Sequence, residues 1–129
     1  MKVLFIILMI LFSCSKPPEQ KVFFIEPKDG SEVQSPFVVK FGVENLEVAP
    51  AGDVKPNSGH HHLLINLDST PSGEAIPFDD VHKHFGKAQT ETELTLSPGK
   101  YKLTLQFANG AHQSYGSALS QTINISVKE

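Results

Sequence analysis

The sequence predicts an all-β fold, a small antiparallel β-sandwich of about seven short strands. Apolar and polar residues alternate with period two in several short segments. Turn chemistry built on Pro, Gly, Asn and Asp separates those segments. No stretch sustains a helical period, and all-β patterning with frequent turns marks a sandwich.

The chain opens with Met1 and Lys2, followed by ten unbroken apolar residues, Val3 to Phe12, then Ser13 and Cys14. A bilayer core needs about 20 apolar residues, so ten are too few to span it. A positive start, a short apolar core and a small residue at the cut describe an export signal over residues 1–13. Leu11-Phe12-Ser13-Cys14 resembles a lipobox, although Phe12 replaces the usual small or aliphatic residue. Cleavage there would leave Cys14 as the lipidated residue. Residues 14–21, with Pro17 and Pro18, then form a semi-rigid spacer.

Residues 22–129 make one domain. Val22 to Ile25 is β-branched and aromatic, a first strand, and Pro27 to Gly30 is a turn. Phe37 to Val43 is a second strand. Phe23, Phe24, Phe37 and Phe41 are assigned to the core from their strand spacing. Ala49 to Gly59 is a loop, His60 to Leu67 a strand, and Asp68 to Pro77 a second loop. Thr90 to Leu96 alternates, with Leu94 and Leu96 on one face. Ser97 to Lys100 turns, and Tyr101 to Phe107 alternates with its odd positions inward. Gln121 to Val127 closes the domain with Ile123, Ile125 and Val127 inward.

Composition narrows the chemistry. Cys14 is the one cysteine, so no disulfide can form within a chain. Both methionines, Met1 and Met9, lie in the export segment. All 11 basic residues are lysine, and removing Lys2 leaves 10 − 14 = −4. An acidic, arginine-free domain lacks the basic patches that phosphate contact needs, so no nucleic-acid partner is expected.

Six histidines carry the remaining chemistry: His60, His61, His62, His82, His84 and His112. If Leu63, Ile65 and Leu67 face the core, His61 also points inward, while His60 and His62 share the opposite face. Residues two apart on a strand lie roughly 6.5–7 Å apart, and their imidazoles can lean onto one ion. His82-Lys83-His84 offers the same spacing if Val81 to Phe85 is extended, and His112 follows the Tyr101–Phe107 strand. Two His-x-His pairs meeting at one end of a sandwich would suit copper, zinc or nickel. A blue-copper centre needs a cysteine thiolate, and the mature chain holds neither free thiol nor thioether.

Two motif regions resemble bacterial immunoglobulin-like domains: P-K-D-G-S-E-V with P-F-V-V-K-F, and the expected hairpin L-T-L-S-P-G-K-Y-K-L-T-L. The segments G-H-H-H-L-L-I and H-K-H-F-G-K-A-Q-T-E, with L-Q-F-A-N-G-A-H-Q-S-Y-G, resemble the bacterial family catalogued as domain of unknown function 4399, from about Val22 to Val127. That family is similar to secreted modules with a G-H-x-H strand and a late histidine. The resemblance implies roles for His60, His62 and His112 and gives the His61 position to an apolar residue. Where the family tends to carry Asp, this chain has Asn66.

Three functions follow as expectations. The first is a lipid-anchored cell-envelope protein, facing the periplasm or cell surface, that binds copper or zinc without catalysis through His60, His62, His82, His84 and His112. The second is an immunoglobulin-like interaction module with structural histidines. The third is a metal-dependent enzyme using Asp79, Asp80 or Glu74 as base. No metallohydrolase, nucleophile-elbow or phosphate-loop signature supports the third, so no enzyme is expected.

Overall fold

The computed structural model describes residues 10–129. Most of the expected export segment, residues 1–9, lies outside them. Nine strands are present among the described residues: β1 (Lys21–Glu26), β2 (Glu32–Val33), β3 (Phe37–Glu44), β4 (Glu47–Val48), β5 (Ser58–Ile65), β6 (His82–His84), β7 (Glu91–Leu94), β8 (Gly99–Ala108) and β9 (Ser120–Val127). Six are the expected ones, within a few residues at their ends. β2, β4 and β6, each of two or three residues, are too short to show a period.

The strands form two sheets. One is three-stranded and antiparallel, in the order β1-β3-β7. The other runs β2-β9-β8-β5-β4, with β6 also paired to β5. Two short pairings, β2 with β9 and β4 with β5, are parallel. The rest are antiparallel, so the sandwich-like all-β class holds.

Alternation decides which side chains meet between the sheets. Val22, Phe24, Phe37, Val39, Phe41 and Leu94 come from the smaller sheet. Leu63, Ile65, Leu103, Leu105, Phe107, Ile123, Ile125 and Val127 come from the larger one. Leu63, Leu103, Leu105 and Phe107 are fully buried. Each such side chain contributes about 1.5–3 kcal/mol by leaving water. The inward directions read from β8 and β9 are therefore correct.

Two sequence expectations are corrected. Phe23 is only half-buried and lies on the other face of β1, where its ring covers Gly42; a Cβ on Gly42 would stand 2.5 Å from that ring. The Ser97-Pro98 segment does not close a hairpin. β7 pairs with β3, and β8 with β5 and β9, so the turn carries the chain from one sheet to the other. Apolar faces on both flanking strands are satisfied by facing each other across the core, and local pairing is not needed.

The outer face of the larger sheet is roofed as well. Along β5 all eight residues are buried, His60, His62 and Leu64 included. Burial on both faces is the mark of a central strand. The roof is the chain from 66 to 81 together with the turn from 109 to 116. Thr70 N–H donates to Gln106 Oε1 (3.1 Å), and Thr104 Oγ1 donates to the Leu67 carbonyl (2.7 Å). The two roof segments hold each other: Gly73 N–H donates to Ser114 O, Ser114 N–H to Glu74 O, and Ile76 N–H to His112 O. Ile76 within this roof is only 2% exposed.

Candidate metal centre

β5 places the first two imidazoles. His60 and His62 lie on its roofed face, opposite Ala108 and Gln106 of β8. Their ring centroids are 4.8 Å apart and their Nε2 atoms 3.1 Å apart. β6 supplies the third, because His84 sits directly across from His62. Cross-strand neighbours bring Cβ atoms to about 4.5–5.5 Å, and the His62 and His84 ring centroids are 5.1 Å apart.

The fourth comes from the turn after β8. Asn109 builds it: its Oδ1 accepts the Ala111 and Gln113 N–H groups, and its carbonyl accepts His112 N–H. His112 takes a φ of 63°, a left-handed conformation that non-glycine residues seldom adopt. The result points His112 Nε2 at His84 Nε2, 3.1 Å away. The His60 ring lies edge-on to both His84 and His112, at 5.1 and 5.0 Å.

Four imidazoles thus lie together, His60 with His62 and His84 with His112 through their Nε2 atoms. One ligand atom each from His60, His62 and His84 lie within 4.8 Å of one another. Two nitrogens bound to one ion at 2.0–2.1 Å stand roughly 2.9 Å apart at a right angle and roughly 3.4 Å apart at the tetrahedral angle. The 3.1 Å pairs fall between these limits.

The electrostatics keep the rings neutral. Burial pushes His60 down to about 4, helped by His84 and His112. Burial pushes His62 down to about 3, with His60, His84, His112 and His61 adding to the effect. His84 is lowered by burial and by His112. Near pH 7 each of these three carries a free lone pair, the state that metal ligation requires. The Nδ1 atoms of His60 and His62 are buried without a hydrogen-bond partner.

His82 does not join the four. It faces Leu64, one pleat repeat from His84. Its Nδ1 donates to Asp79 Oδ1 at 2.7 Å, and the same oxygen accepts the Val81 and His82 N–H groups. The His82 hydrogen bond holds the Asp79 carboxyl below its ordinary value. His61 is inward, as its alternation requires. Its ring packs between Phe41 and Phe107, with centroids 5.0 and 5.1 Å away, and neither of its nitrogens has a partner.

Two residues of the site escaped the sequence reading. A Cβ on Gly86 would overlap His84 Cε1 and stand 2.5 Å from Nε2, so only glycine leaves room for that ring. The glycine two residues after His-x-His was the available signal. Phe78, 65% exposed, sets its ring edge-on to His84 and His112 at 5.0 and 5.1 Å. It sits in an irregular loop with no period to mark it.

Among solved structures, the chain is similar to the endo-beta-1,4-mannanase from Thermotoga petrophila, at 15% identity and a TM-score of 0.56. The likeness covers 91% of this chain and 22% of that one, and it concerns the fold alone. No curated protein matches the sequence. The profile of a family described as "Domain of unknown function (DUF4399)" matches residues 39–128, which hold β5, β6, β8 and all six histidines. The chain therefore belongs to the DUF4399 family.

Proposed function

We propose that the protein is a lipid-anchored cell-envelope protein, facing the periplasm or the cell surface, that carries a copper or zinc ion without catalysis. The observation that carries this is the gathering of ligand atoms from His60, His62 and His84 within 4.8 Å of one another, with His112 Nε2 set 3.1 Å from His84 Nε2. An all-nitrogen donor set suits both ions. As a purely structural cluster the arrangement would be poor. Two internal N–H···N bonds contribute about 1 kcal/mol each, whereas each of two unpartnered buried Nδ1 atoms costs about 1–3 kcal/mol. A fold that tolerates such a deficit has another use for the rings.

Catalysis would need an open coordination position and a general base beside it. Asp79 is occupied with His82, and His60 and His62 lie fully buried under the roof. Storage, delivery or tolerance fits this better than hydrolysis. Ile10, Leu11 and Phe12 are exposed, and so is Cys14, as suits a segment destined for a signal peptidase and a lipid.

Elemental analysis of the chain, purified without an affinity tag, tests the proposal. Wild type should hold close to one equivalent of copper or zinc, and the His60→Ala/His62→Ala variant should hold almost none. Equal metal in both would end it.

A further inference from the structure

The same face of β6 carries a fifth imidazole that the four-nitrogen cluster leaves out. The carboxylate of Asp79 can only accept, so the 2.7 Å bond is donated by His82 Nδ1–H, and Nε2 is the nitrogen left for a second partner. A carboxylate holding the far nitrogen is the arrangement that orients metal-binding histidines and raises their basicity. Every other feature of His82 is compatible with ligation, yet it stands beside the cluster.

Two levels of exposure mark this face. The Asp79 side chain is 47% exposed and the His82 side chain 13%. His82 and His84 are both partly buried, while His60 and His62 are fully buried. The register places the steps in line: His82 is level with Leu64, His84 with His62, and His60 lies beyond. Successive positions on one strand face are roughly 6.5–7 Å apart, within reach of two imidazoles leaning together.

We propose that His82, oriented by Asp79, is the capture ligand of this centre, the first protein nitrogen to bind an incoming hydrated divalent ion and the last to release it. This rests on the metal-carrying function proposed above. Loading is a series of ligand exchanges. The His82 Nε2 lone pair displaces one water from the ion. His84 and His112 displace further waters. His82 then leaves as His60 and His62 complete the set. A residue of this kind speeds filling and emptying alike, and it leaves the equilibrium untouched.

Stopped-flow mixing of the chain with excess Cu(II) sulfate, read by the ligand-field absorption of the copper–imidazole centre, tests this. Release is read with excess chelator. His82→Ala should slow loading and release by the same factor, at least about tenfold on the scale of outer-shell losses, with Kd and stoichiometry unchanged. Asp79→Ala should slow both as well. Wild-type rates in either variant would overturn the role while leaving the metal centre intact. A weakened Kd with one fewer nitrogen in the copper resonance spectrum would also overturn it, by making His82 a resident ligand. A wild-type chain that takes up no Cu(II) would instead remove the carrier function itself. Should circular dichroism show His82→Ala unfolded, His82→Gln carries the same comparison.

Discussion

Replacing Gly86 with alanine should weaken metal affinity strongly while sparing the fold. The backbone at Gly86 does not lie in the left-handed region, so alanine introduces no dihedral strain there. What it introduces is a methyl that overlaps the His84 ring and stands 2.5 Å from Nε2. Ordinary contact begins near 3.4 Å, so the ring must retreat by about 1 Å. Metal–nitrogen bonds tolerate deviations of only about 0.2 Å, and His84 leaves the set. A four-ligand structural site binds its ion with about 10–16 kcal/mol, so one ligand accounts for roughly 3 kcal/mol. At 1.4 kcal/mol per decade, that loss weakens Kd by roughly a hundredfold. The His84 ring is only half-buried and can swing outward. The apo chain should therefore lose no more than the lower end of the 1–3 kcal/mol typical of overpacking. Titration calorimetry with Cu(II) or Zn(II), paired with thermal melting of the metal-free chain, reads both numbers. A Gly86→Ala chain that binds as tightly as wild type would refute the assignment of His84 to the centre.

Three further outcomes are expected. His61→Leu removes two unpartnered buried nitrogens and should stabilise the chain at pH 7 by roughly 1–3 kcal/mol in urea unfolding; lost metal binding in that variant would contradict the inward assignment. His61 is held down to about 4 by burial and then by His60, so its folded value lies below the unfolded one. The proton-linked part of its cost, which adds to that of the unpartnered nitrogens, is therefore absent above pH 6.5 and builds as pH falls toward 4, while the unfolded chain gains a proton that the folded chain refuses. The stabilisation from His61→Leu should accordingly grow by about 1.4 kcal/mol per pH unit across that window, and a pH-independent difference would show that His61 titrates normally in the fold. Cys14→Ala should move the chain from the membrane fraction to the soluble fraction of cells, and unchanged membrane association would remove the lipid anchor from the proposal.

Much of this architecture is legible in the sequence, because alternation fixes facing wherever a strand is long enough to show it. β8 and β9 present Leu103, Leu105, Ile123 and Ile125 inward as read, and His61 follows the odd register of β5. The S-P-G turn misleads, since Leu94 and Leu103 serve equally well as hairpin neighbours or as opposite walls of one core. β6 is too short for periodicity and acquires its geometry only from pairing with β5. The His-x-His spacing therefore suggests two equivalent pairs, whereas Asp79 draws His82 aside. Phe23 shows the limit of composition, because a large aromatic on a strand can cover the outer face over a glycine as readily as fill the interior.

β5 does two unrelated jobs with its two sides. Leu63 and Ile65 hold the sheets together, and His60 and His62 lie on the roofed side, which the sandwich interior does not depend on. A change among those imidazoles leaves the interior apolar contacts in place. Metallodomains that lack such an independent interior unravel when their ion is taken away. A metal carrier of the kind proposed, built this way, would stay folded while vacant.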